Sequence, residues 1–265
     1  MHAFEYHRPA SSKDAIGLAA KKSEGRYLAG GQSLVQAMKL RLSSPTDLID
    51  LGSLKELSFI KASSSAVEIG AMTRHADVAA SKDVQKAIPA LAALVGIIGD
   101  RQVRHMGTIG GSLANNDPAA DYPAAVLGLG ATITTNKRKI AADDFFKGMF
   151  ATALQPGEII TSASFPVPKR AAYTKFKNPA SRFAIVGVFV ADTGSGARVA
   201  VTGAGAGVFR QKDMEKALSA KFAPESAAGV KQKADGLNSD LHASAEYRAH
   251  LVTVMAKRAV EAALK

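Results

Sequence analysis

The segment RYLAGGQSLVQAMKLRL, residues 26–42, predicts a short strand that runs through two glycines into a helix. Glycine lets the backbone approach a ligand closely and adopt positive φ values. A helix that begins near Gln32 presents free amides and the positive end of its dipole, which suits a pyrophosphate, and Ser33 would add a hydroxyl donor. By itself, however, a Gly-Gly turn before a helix is more often only a tight connection.

A second glycine segment, GTIGGSLANNDPAADYP, occupies residues 107–123. Thr108, Ser112 and the nearby amides can bind phosphate oxygens, while a carboxylate accepts hydrogen bonds from sugar or ribitol hydroxyls, a role open to Asp121. Asp117 and Pro118 also fit the start of a helix, with Asp117 as its N-cap. Both interpretations can hold together.

Neither segment is a standard nucleotide-binding fingerprint. The first lacks the G-x-G-x-x-G spacing, and no P-loop Gly-Lys-Ser/Thr follows. The spacing therefore predicts two backbone-lined anion sites that one ligand could span, and nothing more.

The order of the elements indicates the fold class. Helices are expected at about 15–22, 32–42 and 75–99, and a strand at 158–168 ends in two prolines that mark a boundary. Three strand candidates follow (YTKFKN, FAIVGVFVAD and ARVAVTGAG), and helices dominate after Gln211. The last helix is expected to bury one face, formed by Tyr247, Leu251, Val254, Met255, Ala259 and Ala262. Because strands and helices are segregated, the sequence predicts an α+β fold and not a doubly wound parallel sheet.

The composition excludes several kinds of site. The 265 residues contain no cysteine, so this chain cannot hold a disulfide, a thiolate nucleophile, or a cysteine-ligated iron–sulfur cluster or zinc. The six histidines show no close metal-ligand spacing, and we expect no bound metal. No apolar run approaches the roughly 18 residues that span a bilayer, and the first residues lack the apolar region of a secretory signal. We therefore expect a soluble, cytoplasmic protein.

The net charge of +11 is distributed unevenly. Residues 166–209 hold six basic side chains and one acidic side chain, without the dense basic cluster interleaved with aromatic residues that a nucleic-acid surface carries. We expect no nucleic-acid binding. This basic segment either faces an anionic cofactor or partner, or is a solvated face.

Three segments together resemble a known family. They are AGGQSLVQAMKLRLSSPTDLIDL (29–51), IGAMTRHADV (69–78) and VRHMGTIGGSLANNDPAADYPAAVLGLGATI (103–133). In order and spacing they are similar to the medium, FAD-binding subunit of molybdenum hydroxylases, above all of the carbon-monoxide-dehydrogenase type. Xanthine dehydrogenase contains a more distant homologous domain. The resemblance extends from Tyr6 to about Arg210.

The resemblance implies a fold of two domains. Residues 1–168 would form a bilobed FAD-binding domain of the molybdenum-hydroxylase/vanillyl-alcohol-oxidase type, with lobes at about 1–55 and 56–168. The flavin would lie between the lobes. Residues 169–265 would form a C-terminal domain with a three-stranded antiparallel sheet and helices.

The resemblance also implies where FAD would bind, without a covalent bond. Ala29–Ser33 and Thr108–Ser112 would hold the diphosphate, and Asp121 would contact the ribitol side of the flavin. Lys175 and Phe183 would come close to the flavin ring, where Lys175 could stabilise the reduced, anionic form. The implied cofactor-binding residues are Leu28, Ala29, Gly30, Gly31, Gln32, Ser33, Leu34, Ala71, Val103, Gly107, Thr108, Gly110, Gly111, Ser112, Ala114, Asp117, Asp121, Ile159, Ile160 and Lys175.

The implied function is electron transfer. FAD would receive electrons from [2Fe-2S] clusters of a small subunit and pass them to an external acceptor, while a large subunit holds the molybdopterin. The three subunit types would form a dimer of heterotrimers. No catalytic residue is expected, because the flavin does the redox chemistry.

Two alternatives have features of the sequence against them. An autonomous flavin-dependent oxidase would need its own substrate pocket, which the Ala-, Lys- and Ser-rich tail after Gln211 does not suggest. A non-catalytic assembly subunit would not need two intact glycine segments.

Overall fold

The computed structural model describes residues Met1–Lys265 and contains sheets of three, five, four and two strands, with helices packed on them. Three of the sheets are antiparallel and the three-stranded one is parallel, and this mixture of mainly antiparallel sheets and helices confirms the predicted α+β class. No helix has the length and apolar character that a membrane crossing requires.

The N-terminal region builds a small parallel sheet with the strand order β1-β3-β2. Its elements are β1 Glu5–His7, α1 Ser12–Lys21, β2 Arg26–Leu28, α2 Leu34–Lys39 and β3 Asp47–Asp50, followed by a 3-10 turn at Lys55–Leu57. The side chain of Ser11 caps α1 by accepting from the amide of Asp14 at 3.1 Å. Helix α2 is shorter than the predicted 32–42, because Arg41 adopts a left-handed φ of 59° and ends it.

The second region is built around an antiparallel sheet with the order β4-β5-β10-β6-β7. Its elements are β4 Ile60–Ala62, β5 Ala66–Gly70, α3 His75–Ala80, α4 Lys82–Ala87, α5 Pro89–Gly96, α6 Arg101–Met106, α7 Ile109–Asn115, α8 Tyr122–Leu129, β6 Thr132–Thr135, β7 Lys139–Ala141, α9 Ala142–Phe145, β8 Phe146–Gly148, β9 Ala151–Thr152 and β10 Ile160–Pro166.

Helix α8 connects this region to the C-terminal sheet. All eight of its residues are buried, so it has no polar face. Asp117 and Pro118 do not begin this helix, contrary to one interpretation of the sequence. The Asp117 carboxylate instead accepts from the amide of Ala119 at 2.8 Å within a turn, and the helix starts at Tyr122.

The C-terminal region combines an antiparallel sheet with three helices. Its elements are β11 Arg170–Lys177, β12 Ala184–Asp192, β13 Ala197–Thr202, β14 Phe209–Arg210, α10 Lys212–Ala220, α11 Pro224–Ala228 and α12 Ala245–Ala263. The first eight residues of β12 are all buried, because α8 packs on one face of the sheet and α12 on the other.

Two details of this region differ from the prediction. The sheet has four strands and not three, since Phe209 and Arg210 pair with Val201 and Ala200; a strand of two residues is too short to show a periodicity. The buried face of α12 also differs, with Tyr247 being 44% exposed. Because α12 covers both β11 and β12 and touches α11, it buries a different and wider set: Arg248, Ala249, Leu251, Val252, Met255, Ala256, Ala259 and Val260.

Candidate functional site

A cavity of about 510 Å³ lies where the three regions meet, a volume typical of small-molecule sites. Its wall includes every residue of the predicted cofactor set except Leu28 and Lys175: Ala29, Gly30, Gly31, Gln32, Ser33, Leu34, Ala71, Val103, Gly107, Thr108, Gly110, Gly111, Ser112, Ala114, Asp117, Asp121, Ile159 and Ile160. Leu28 lines a second cavity on the other side of the first glycine segment. The fold thus gathers the predicted residues around one space.

The two glycine segments pack directly against each other at the edge of the cavity. A Cβ on Gly30 would overlap the carbonyl oxygen of Met106, and a Cβ on Gly111 would lie 3.3 Å from the Cβ of Ala29. Gly31 has a φ of 72°, a conformation that glycine adopts at no cost. The glycines are therefore required by close approach of backbone to backbone and by the turn into α2.

The backbone amides of the first segment are free. Those of Gly30, Gly31, Gln32 and Ser33 donate no hydrogen bond within the chain. Ser33, which precedes α2, makes no side-chain capping bond either. A run of unpaired amides is the donor set that a phosphate group accepts from.

The second segment contributes differently, because the amides of Ile109, Gly110 and Gly111 already have protein partners. The amide of Ile109 donates to the carbonyl of Thr73 at 3.2 Å, and that of Gly110 donates to Ala71 at 2.8 Å. The amide of Gly111 donates to the Thr108 hydroxyl at 3.2 Å, which leaves the hydroxyl proton of Thr108 free to donate. This segment therefore offers hydroxyls and small surfaces, while the first offers amides.

Asp121 forms a buried cluster with two residues of β11. Tyr173 donates to one carboxylate oxygen at 2.6 Å, and Lys175 donates to the other at 2.9 Å. Burial raises the pKa of Asp121, and the charge of Lys175 and the Tyr173 hydroxyl oppose that rise. The Tyr173 hydroxyl fits here because a Cβ on Gly187, in the adjoining strand, would overlap it. The cavity thus has an oriented carboxylate on its wall.

Lys175 itself stands behind Asp121. Its side chain is 2% exposed, and its ammonium also donates to the carbonyl of Ile97 at 3.0 Å. It does not line the cavity. An effect of Lys175 on a bound flavin would therefore act through Asp121.

Glu158 lines the cavity, but its carboxylate is occupied by hydrogen bonds within the protein. It accepts from the Thr135 hydroxyl at 2.6 Å and from the Arg138 guanidinium at 3.1 Å. Burial alone would raise the pKa of Glu158, but the hydrogen bonds from Arg138 and Thr135 prevail and lower it to about 2. The Glu158 carboxylate therefore fixes the turn that leads into β10.

Several wall residues are absent from the predicted set. Phe150 reaches the cavity from the β8–β9 hairpin with a φ of 53°, and Arg182 reaches it from the loop before β12 with a φ of 63°. Non-glycine residues in this conformation leave no sequence signal. Phe183, which the resemblance implied near the flavin ring, also lines the cavity. The remaining wall residues outside the predicted set are Arg26, Tyr27, Leu51, Met72, His75, Ile98, Gly99, Asn115, Ala120, Leu154, Glu158 and Ser181.

The geometry fits an elongated, anionic ligand with hydroxyl groups. Unpaired amides lie at one part of the wall, an oriented carboxylate at another, and apolar side chains such as Ile98 and Leu154 line the space as well. No group of three or more histidines, cysteines or acidic residues is placed to hold a metal ion. A dinucleotide such as FAD has this combination of diphosphate, ribitol and flat rings.

Comparison with known proteins supports the same ligand. Residues 2–168 match the family model described as "FAD binding domain in molybdopterin dehydrogenase", and residues 171–263 match "CO dehydrogenase flavoprotein C-terminal domain". The carbon monoxide dehydrogenase medium chain of Afipia carboxidovorans is 36% identical, over 98% of this chain and 96% of its own. The glyceraldehyde dehydrogenase medium chain of Sulfolobus acidocaldarius is 34% identical, over 97% and 96%.

The solved structures agree with the sequence comparison. A chain of the reconstituted CO dehydrogenase from Oligotropha carboxidovorans superposes with a TM-score of 0.92 at 33% identity, over 99% of this chain and 98% of that one. Both family models, the relatives and the fold point to one family, and FAD is its cofactor. The chain therefore belongs to the FAD-binding medium subunits of molybdenum hydroxylases of the carbon-monoxide-dehydrogenase type.

Proposed function

We propose that this chain holds FAD without a covalent bond in the cavity between the glycine segments and serves there as an electron-transfer subunit. The observation that carries the proposal is the run of free amides at Gly30–Ser33, which faces the same cavity as the Asp121 carboxylate. When bound, the flavin supplies the redox chemistry, accepting electrons from a [2Fe-2S] cluster and releasing them to an external acceptor.

The chain's own residues bind and orient the cofactor. The free amides and the Ser33 hydroxyl neutralise the diphosphate, and Asp121 accepts from the ribitol hydroxyls. Tyr173 and Lys175 hold the Asp121 carboxylate in place. No residue acts as a nucleophile or general acid.

The electrons must come from a partner. A chain without cysteine cannot ligate an iron–sulfur cluster with thiolates, so the [2Fe-2S] clusters belong to a small subunit and the molybdopterin to a large one. We propose a dimer of such heterotrimers, located in the cytoplasm. The relatives are named for carbon monoxide and for glyceraldehyde dehydrogenases, which supports a substrate chosen outside this chain.

The proposed domain boundary falls at residue 168, between β10 and β11. The apolar core is continuous across it, since Phe189, Ala191 and Ala200 of the C-terminal sheet share a cluster with α8. We propose that residues 1–168, in two lobes, bind FAD and that residues 169–265 support the site from behind through Tyr173 and Lys175.

An absorbance spectrum of the purified chain tests the cofactor site. After free FAD has been removed, the chain should retain flavin bands that bleach on reduction, and Gly111→Trp should lose them because its side chain would intrude where a Cβ already lies 3.3 Å from the Cβ of Ala29. Gly17→Trp is the matched control, since nothing lies within 4 Å of a Cβ there. Retention of FAD by Gly111→Trp at the affinity of the Gly17→Trp control would place the cofactor elsewhere.

Electron transfer is tested with the assembled complex. Reduction of the holoenzyme by its substrate should bleach the flavin when FAD-replete medium subunit is present. When the Gly111→Trp subunit replaces the FAD-replete medium subunit, the complex should not reduce an external acceptor. Equal acceptor reduction by both complexes would contradict the electron-transfer role.

A further inference from the structure

His75, the first residue of α3, lies against the second glycine segment. Its backbone N–H donates to the carbonyl of Gly107 at 2.9 Å. A Cβ on Gly107 would lie 2.6 Å from the Nε2 atom of His75, so only glycine leaves room for the ring. The residue is 5% exposed and lines the cavity between the glycine segments. The imidazole is therefore held tightly at the cavity wall.

The two ring nitrogens of His75 differ in their surroundings. Nδ1 is buried and has no hydrogen-bond partner. Nε2 makes no hydrogen bond within the chain either, but it lies on the ring edge beside Gly107, which is itself part of the cavity wall. Buried N–H groups without an acceptor are rarer in proteins than acceptors with a spare lone pair. The proton of the neutral ring therefore belongs on Nε2, and the lone pair on Nδ1.

The ring is neutral at neutral pH. Burial lowers the pKa of His75 to about 4, and the positive charge of Arg104 on α6 acts in the same direction. The aromatic neighbour, Tyr122 of α8, has its ring centroid at 5.3 Å, and its buried hydroxyl also lacks a partner. His75 thus presents a fixed, uncharged N–H donor for which the chain provides no acceptor.

We propose that His75 is a cofactor-binding residue whose Nε2–H donates a hydrogen bond to a diphosphate oxygen of FAD. The proposal depends on the cavity being the FAD site, as proposed above. The position of His75 supports a phosphate contact, because Thr108 follows Gly107 directly and the free amides of Gly30–Ser33 belong to the same wall. A diphosphate oxygen would accept a hydrogen bond from the Nε2–H group of His75, which has no acceptor within the chain.

The tautomer can be measured on the wild-type chain, which avoids any loss of folding through mutation. With ¹⁵N-labelled histidine, the NMR signals of His75, assigned by their loss in His75→Gln, should show the proton on Nε2. The Nε2 signal should then shift when FAD is added. A proton on Nδ1, or an Nε2 signal that does not respond to FAD, would overturn the proposal.

Substitution measures the strength of the contact. His75→Leu should raise the Kd for FAD by about 10- to 100-fold, the usual range for a lost hydrogen bond to a charged group. His75→Gln should restore most of the affinity, because the glutamine amide nitrogen can occupy the position of Nε2. His105→Leu is the control that should bind FAD as the wild type does, since His105 is exposed and lies outside the cavity wall.

Displacement of FAD by ADP identifies the part of the cofactor involved. ADP shares the diphosphate but lacks the flavin, so His75→Leu should weaken ADP as much as FAD. Weakening of FAD alone would overturn the assignment to the diphosphate. If Gly111→Trp loses FAD while His75→Leu binds it normally, only the role of His75 fails. If Gly111→Trp keeps FAD, the proposed cofactor site fails.

Discussion

The buried cluster of Asp121, Tyr173 and Lys175 allows a quantitative prediction. The Lys175 and Asp121 side chains are 2% and 4% exposed, so neither charge is screened by water. Removing one partner of a buried ion pair leaves an uncompensated charge and costs about 3–5 kcal/mol. We expect Lys175→Met, which keeps the length of the side chain, to lower the free energy of unfolding by this amount. Tyr173→Phe should cost less, about 1.5–3 kcal/mol, because it removes one hydrogen bond to a charged group.

Urea unfolding of the full-length chain, followed by circular dichroism, measures these changes. The midpoint should fall while the slope with urea stays constant, since the surface exposed on unfolding is unchanged. Combining Lys175→Met with Asp121→Asn should be less destabilising than Lys175→Met alone, because an amide does not need a cation beside it. This rescue separates an electrostatic role of Lys175 from simple loss of packing.

Two results would refute the reasoning. A loss below about 1 kcal/mol for Lys175→Met would mean that the pair behaves like an exposed one. A double variant at least as unstable as the sum of the two single variants would mean that the charges do not compensate each other. A titration of Lys175→Met with FAD adds a functional measurement. The affinity of this variant for FAD should be lower than that of the wild type, because Asp121 is less often ionised without Lys175 and then accepts hydrogen bonds less well.

Three further predictions concern the frame of the cavity. Glu158 has a pKa of about 2 against an ordinary 4.5, so the stability it contributes is present above pH 4.5 and lost as the pH falls towards 2. Glu158→Gln should therefore give a flatter dependence of the urea midpoint on pH in this window. The same dependence on pH in the wild type and in Glu158→Gln would contradict this. Asn116 is 1% exposed and donates to the carbonyls of Gly148 and Ala151 at 2.7 Å each. Asn116→Ala should therefore cost about 1–3 kcal/mol by thermal unfolding and open the β8–β9 hairpin to proteases, whereas equal cleavage rates would contradict that role. Gly187→Ala should push the Tyr173 hydroxyl away from Asp121. In a titration it should weaken FAD binding as much as Tyr173→Phe is expected to, because both substitutions remove the hydrogen bond from Tyr173 to Asp121; normal FAD binding would show that the overlap is relieved elsewhere.

The glycine segments could be found from the sequence because their signal is local. A turn that must approach another backbone needs glycine at fixed positions, and the helix that follows the first turn is read from the next few residues. The fold class followed from the segregation of strands and helices. Each of these features depends on neighbours a few positions away in the chain.

The position of Lys175 could not be predicted from the residues next to it in the chain. The resemblance implied a position near the flavin ring. In the structure Lys175 lies behind Asp121, which is 54 residues away in sequence and accepts a hydrogen bond from it at 2.9 Å. The position depends on the register of β11 against β12, which puts Lys175 opposite Gly187. A strand's register depends on its hydrophobic pattern together with the partner strand and the turn that joins them, so the residues next to Lys175 do not determine it alone.

The buried face of α12 has the same explanation. Helical spacing identified Leu251, Met255 and Ala259 correctly, but it wrongly placed Tyr247 on the buried face. The structure buries Arg248, which donates to the carbonyls of Ile185 and Gly203, and leaves Tyr247 at the surface beside Phe176. Arg248 can be buried because these carbonyls, which lie more than 40 residues away in sequence, accept hydrogen bonds from its guanidinium.

The sequence by itself therefore determined the α+β class and the two glycine segments, because these follow from turn chemistry and from periodicity over a few residues. The other predicted residues of the cavity wall came from the resemblance to a known family. Only the tertiary structure decided which charges pair inside the protein, which side of α12 is buried, and how Phe150, Arg182 and His75 reach the cavity. Those features arise when segments distant in the chain meet, and their energies depend on burial and on partners that no short stretch of sequence contains.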